Sequence, residues 1–281
     1  MGTAPSALSW EQFDAMPLPA AAPRIAYGPA PQQFGELRLP VGTGPHPVIV
    51  LIHGGCWRNC YDLVHITRLA AWLTQRGWAT WTIEYRRLGD VGGGWPGTLR
   101  DAGKALDALR TLAVDAPLDL GRVVTAGHSA GGHLALWLAS RAGLGPESPL
   151  YQPDPLPVAG VLGLAAITDL DSFRIGPADS CHAAVEPLMQ GDPQAVPQHY
   201  ADASPLRRLP LGVPQALVQG TADDTVSVDS VQRYAEAAAR AGDAVRLWAL
   251  PDAGHFDVAT ATAASEAALI EALAWLVSVP A

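Results

Sequence analysis

The chain has 281 residues, a formal net charge of -9 at pH 7 and 49% hydrophobic residues, enough apolar material for a sizeable core in one large α/β unit. Its acidic balance, with no Lys/Arg cluster to override it, excludes a nucleic-acid surface. No apolar run spans a bilayer, Met1-Gly2-Thr3-Ala4-Pro5 lacks the basic and apolar regions of a secretory leader, and three cysteines without framework spacing fit a reducing compartment, so the expectation is a cytoplasmic protein with no membrane partner.

Residues 1–23 are rich in Ala and Pro and read as an extension laid over the body, with Trp10 and Phe13 as bulky anchors on a short helix. Segments 24–27 and 34–39 flank a Gly-Pro-Ala-Pro turn and predict an antiparallel edge hairpin. Pro47-Val48-Ile49-Val50-Leu51-Ile52 is the continuous apolar run of a central parallel strand buried on both faces. Apolar residues at Leu63, Ile66, Leu69, Ala70 and Leu73 predict a helix over 62–77, and 79–85 returns as a strand, so crossovers should be right-handed. Gly92-Gly93-Gly94 reads as a flexible connection rather than an anion cradle, because no strand-loop-helix fingerprint surrounds it. Pro96 suits the first turn of a helix running to about residue 112.

Residues 123–128 predict another strand, followed at once by an apolar helix to about 138. A polar, Pro-rich surface loop, 141–157, leads to a strand at 158–164. From 168 to 211 no period is sustained, and a stretch of that length reads as a lid-like insertion. Strands at 215–219 and 244–250 alternate with helices at 229–241 and 262–279. The expected fold is α/β in a single domain over 1–281: a doubly wound, mostly parallel sheet with an antiparallel N-terminal hairpin.

Chemistry concentrates at Gly127-His128-Ser129-Ala130-Gly131-Gly132-His133. Glycines two before and two after Ser129, between a strand and an apolar helix, are what a nucleophile elbow needs; the bland alternative is a tight turn with a capping serine. A serine hydroxyl is a weak nucleophile, so it needs a base and an acid to orient that base. In the order Ser, Asp, His, the acid falls at Asp223 in Gly220-x-x-Asp223-x-x-Val226, with Asp224 as competitor, and the base at His255 after the last strand. Oxyanion donors are expected from the amides of Gly54, Gly55 and Cys56, directly after the central strand, together with Ala130. Trp57, His128, Trp95, Phe173 and Phe256 are candidate pocket walls. The spacing of His53, Cys56, Cys60 and His65 matches no usual zinc pattern, so no metal and no cofactor are expected, and Cys56 reads as an accessible thiol.

These motifs, with His53-Gly54-Gly55-Cys56-Trp57, Glu84-Tyr85-Arg86 and Gly254-His255, resemble those of the α/β-hydrolase superfamily, and within it the kynurenine formamidase and carboxylesterase-like branch, from about residue 24 to the end. The resemblance implies an α/β-hydrolase fold and an acyl-enzyme route on small-molecule esters or amides, with Ser129 attacking, His255 relaying the proton and Asp223 orienting it. It also implies a structural pairing of Arg86 with Asp101. Carboxylesterase activity on small or medium acyl groups comes first, then aryl formamidase, then a prolyl-oligopeptidase-like peptidase, then a non-catalytic binding protein. Cys56 stands where formamidases of the family commonly carry an aromatic residue, which separates this loop from theirs. No pattern in the sequence specifies an oligomeric state.

Overall fold

A computed structural model describes residues 7–279; residues 1–5, read as lacking the features of a leader, lie outside the described residues. In chain order the elements are α1 (Trp10–Asp14), β1 (Arg24–Ala26), β2 (Phe34–Arg38), β3 (His46–Ile52), α2 (Thr67–Gln75), β4 (Ala79–Ile83), α3 (Gly97–Asp107), α4 (Leu109–Asp115), β5 (Leu118–His128) and α5 (Ala130–Ser140). They continue with β6 (Gly160–Leu164), α6 (Leu170–Phe173), α7 (Val185–Met189), α8 (Pro197–Ala203), β7 (Gln215–Gly220), α9 (Val228–Arg240), β8 (Val245–Leu250) and α10 (Glu266–Ser278). All eight strands form one sheet in the order β1-β2-β4-β3-β5-β6-β7-β8.

The N-terminal hairpin is antiparallel, as is the β2–β4 pairing, and every later pairing is parallel. β3 lies between β4 and β5, and all of it except Pro47 is buried. Its side chains alternate between two apolar layers: Val48, Val50 and Ile52 pack with α3, α5 and α9, whereas Ile49 and Leu51 pack with α2 and α10. A strand sandwiched this way has no polar face to show, which is why its sequence is an unbroken apolar run. The arrangement is the doubly wound, mostly parallel sheet expected.

Two local readings are corrected. The helix expected from Pro96 to about 112 is interrupted at Ala108 and resumes as α4, running on to Asp115. The segment 168–211 is not irregular: it holds α6, α7, α8 and three-residue-period turns at Cys181–Ala184 and Pro205–Arg208. Side-chain caps define several of these, with Asp169 accepting the amides of Asp171 and Ser172 at the start of α6, and Ser180 accepting that of His182. Leu170, Val185, Leu188, Met189, Tyr200 and Ala203 anchor the segment in the core. Helices of four to seven residues are too short to display a period, so none was visible in the sequence.

The N-terminal segment is tied to the body by contacts its composition does not advertise. Ser9 and Gln12 form a reciprocal capping box on α1, Phe13 is fully buried, and Arg68 donates to the carbonyls of Asp14 and Met16. The implied Arg86–Asp101 pair is present and bidentate, at 2.7 Å on both arms, with the carboxylate fully buried.

Candidate active site

β5 ends at His128 in the middle of the sheet, and Ser129 turns the chain into α5 with φ 57° and ψ -119°. Only a crowded turn holds a non-glycine residue there. A Cβ at Gly127 would fall on the Gly131 carbonyl, and one at Gly131 on the carbonyls of Ile52 and His53; these glycines are steric requirements of the elbow. Ser129 is pinned through its backbone, its N–H donating to Leu164 O at 2.9 Å and its carbonyl accepting from His133 N at 3.0 Å.

At the carboxyl end of β7, Asp223 accepts from the amides of Thr225 and Val226, both at 2.8 Å, and from Gln219 Nε2 at 2.9 Å. The oxygen that Gln219 meets, Oδ2, also receives His255 Nδ1 at 2.8 Å. Burial pushes this carboxyl up, but the His255 hydrogen bond and charge, the Val226 amide and Gln219 together outweigh it and hold the group below its ordinary range. Asp224 is exposed and, among the described residues, hydrogen-bonds only the hydroxyl of Thr225, so of the two candidates it is Asp223 that meets the imidazole.

His255 and Ser129 open onto the same cavity of about 310 Å³. No hydrogen bond joins the Ser129 hydroxyl to the ring among the described residues, a separation common in ligand-free sites. Gly55 and Cys56 line this cavity. Gly54 instead packs behind it, where a Cβ would lie 2.9 Å from His128 O and 3.1 Å from Ser129 Cβ. Gly55 has φ +98° and faces the Tyr61 ring too closely for any side chain. The amides of Gly55, Cys56 and Ala130 donate no hydrogen bond among the described residues, which leaves main-chain donors free beside the serine.

Of the candidate walls, Phe256 lines the cavity and Phe173 lines a neighbouring one of about 230 Å³, which meets the first at Thr225. Trp57 and Trp95 do not line it. Trp57 is fully buried with its ring edge-on to His133, and Trp95 is buried against His199 at 4.3 Å; a ring near a loop packs inward when the sheet offers it a core. His128 is also fully buried and backs the site rather than facing it. The walls the sequence did not indicate are Trp10 from α1, Tyr61, His65, Thr225 and Cys181.

His128 Nε2 faces the carbonyl of His255 at 2.9 Å, so it must donate, which leaves its Nδ1 to accept from His65 Nε2 at 2.8 Å. The chain holds the backbone of His255 and needs His128 neutral, since that ring must accept at Nδ1 while it donates at Nε2. Burial, then the neighbouring histidine, pushes His65 well down and His128 down to about 3, and burial lowers His133 to about 4. Unfolded, each would titrate near 6.5. Between those values the unfolded chain binds protons the folded one refuses, so stability is full above pH 6.5 and is lost as pH falls toward 3. We expect urea midpoints to drop between pH 7.5 and 5, with a slope of roughly 1.4 kcal/mol per pH unit for each such histidine; equal midpoints would contradict the neutral relay.

The thiol reading of Cys56 is corrected. Cys56 and Cys181 form a disulfide, with Cα atoms 5.0 Å apart, and Cys60 is the free, exposed cysteine. The partners lie 125 residues apart in sequence, which no local spacing reveals, and the bond removes the cysteine-usage argument for a reducing compartment. It ties the loop after β3 to the segment before α7, both walls of the cavity. Closing a loop of that length stabilises by about 3–5 kcal/mol in the chain-entropy treatment. Cys181→Ser should therefore lower the free energy of unfolding by an amount in that range, measured by urea titration without reductant; an unchanged value would show that the bond constrains nothing.

Among the described residues no helix is long and apolar enough to cross a membrane, and no group of three or more His, Cys, Asp or Glu side chains could hold a metal ion.

Known proteins similar to this chain include esterases. Esterase LipC of Mycobacterium tuberculosis is 30% identical over 84% of this chain and 60% of its own length, and the probable carboxylic ester hydrolase LipM of the same organism is 26% identical over 69% and 45%. The chain thus spans about half to three-fifths of these relatives. The solved structure of a thermophilic esterase, Est2, from Thermogutta terrifontis superposes with TM-score 0.73 at 22% identity, covering 92% of both chains. A truncated carbohydrate esterase from gut microbiota gives 0.77 at 18%, covering 92% of this chain and 97% of its own. These neighbours share the α/β-hydrolase fold. With the BD-FAE family model matching residues 37–237, the chain belongs to the BD-FAE family.

Proposed function

We propose that the protein is a serine hydrolase that cleaves carboxylic esters of small or medium acyl groups through an acyl-enzyme. Ser129 Oγ attacks the ester carbonyl while His255 Nε2 takes its proton, and Asp223 holds the imidazole by its Nδ1 and stabilises the charge it acquires. The oxyanion of the tetrahedral intermediate is met by the free amides of Gly55, Cys56 and Ala130. Collapse expels the alcohol, which receives the proton from His255, and water then repeats the sequence to release the acid. The observation that carries this reading is that His255, held by Asp223 at 2.8 Å, opens with the elbow serine onto one cavity. A volume of about 310 Å³ is at the small end of ligand sites and suits a short acyl group; the printed names of LipC and LipM, an esterase and a probable carboxylic ester hydrolase, support the same chemistry.

The rings of Trp10, Tyr61 and Phe256 along the cavity support a second reading, aryl formamide hydrolysis by the same residues. Wild type and Ser129→Ala are to be assayed on p-nitrophenyl acetate, butyrate and octanoate and on N-formylkynurenine. The expected result is highest kcat/KM on acetate or butyrate, abolished in the alanine variant. Preference for the formamide establishes the second reading, and ester turnover that survives the substitution overturns both.

A further inference from the structure

His53 is fully buried beneath the loop after β3, and both of its ring nitrogens face groups that can only accept. Nδ1 lies 2.7 Å from the carbonyl of Gly54 and Nε2 lies 2.8 Å from Glu84 Oε1. A neutral imidazole has one N–H and satisfies one of these, leaving two lone pairs opposed at the other. A proton on Glu84 does not resolve the conflict. Oε1 already receives Tyr85 N–H at 2.9 Å and Arg87 Nη1 at 3.0 Å, and Oε2 receives Leu63 N–H at 3.1 Å, so this oxygen set is that of a carboxylate. Burial pushes Glu84 up, but His53 first, then Arg87 and the Tyr85 amide, hold it below its ordinary range.

The charges around the ring lead to the same result. Arg87, almost fully buried, contacts both Glu84 and Asp90, so two carboxylates share one guanidinium and a positive His53 brings the group to neutrality. The other neighbours are the Tyr85 ring, stacked at 4.5 Å, and, across Gly54, His128 and its partner His65, both uncharged. An unpaired buried charge is expensive, but one flanked by a carboxylate and a carbonyl in hydrogen-bond contact is matched.

We propose that His53 is an imidazolium and a positioning residue, which fixes the Gly54–Gly55 peptide and polarises it. Its Nδ1–H draws electron density onto the Gly54 carbonyl, and the amide across the same peptide bond, that of Gly55, becomes a stronger donor to the oxyanion. The charge reaches the reacting atoms through one peptide group and never touches substrate. This inference deepens the hydrolase reading and rests on it for its effect on rate.

The test is a ¹⁵N–¹H correlation spectrum of histidine-labelled full-length protein, with the His53 ring assigned from its through-space contacts to Tyr85. The expected spectrum shows protons on both His53 nitrogens at pH 8. In Glu84→Gln the ring should lose one proton, and kcat on a p-nitrophenyl ester should fall about tenfold or more, with KM within about twofold. A bare nitrogen on wild-type His53 at pH 8 overturns the proposal, as does Glu84→Gln with a neutral ring and undiminished kcat. Where Glu84→Gln fails to fold, the wild-type spectrum decides alone. Failure of the hydrolase reading is distinguishable, because it shows as absence of Ser129-dependent turnover whatever the charge on His53.

Discussion

Ser129→Ala is expected to lower kcat on p-nitrophenyl esters by on the order of a millionfold, to the residual rate that oxyanion donors and substrate binding alone supply. The substitution deletes one oxygen and nothing else in the frame. Alanine keeps the Cβ, so it inherits the φ of 57°, and the two backbone hydrogen bonds that pin the elbow do not involve the side chain. The melting temperature should accordingly stay within the range of a surface substitution, about 0.5 kcal/mol in stability. Loss of activity accompanied by loss of the folded state would mean the hydroxyl holds the elbow together, a role the structure does not give it.

Asp223→Asn is expected to reduce kcat about ten-thousandfold while KM changes little. The reason is which nitrogen carries the proton. Oδ1 of Asp223 accepts the backbone amides of Thr225 and Val226, so an asparagine keeps its oxygen there and turns its amide nitrogen to His255, donating to Nδ1 instead of accepting from it. The proton then resides on Nε2, where the ring can no longer take one from Ser129. Asp224→Asn, one residue on and exposed, should leave kcat within a few-fold. The contrast separates orientation of the imidazole from any general effect of removing a carboxylate near the cavity, and equal losses in the two variants would remove the assigned role of Asp223.

The sequence carried the frame of this molecule well where physics acts locally. Buried parallel strands must be apolar on both faces, so Val48 to Ile52 could be read as one, and the elbow could be read because Gly127 and Gly131 have no alternative at their positions. The Ser, Asp, His order then needed only the strand ends to place Asp223 and His255 on one edge of the sheet. What the sequence concealed depends on contacts between distant segments. Cys56 and Cys181 meet because the segment before α7 folds over the loop after β3, and Trp10, legible only as an anchor on a short helix, reaches the cavity. His65 enters the sequence reading only through a metal spacing it does not match, yet it lies under Trp10 and bonds His128. Trp57 and Trp95 show the reverse error: a tryptophan beside a glycine loop is consistent with a wall or with a core, and only the packing of His133 and His199 against them decides.

The central claim is that Ser129 is the nucleophile activated by His255. Its most direct measurement is labelling with a fluorophosphonate, a reagent that forms a covalent bond only with an activated serine, followed by intact mass and peptide mapping. The account predicts one adduct per chain, on Ser129, at a rate that collapses in His255→Ala. An adduct on any other residue, or a folded wild-type protein that takes up none, contradicts it.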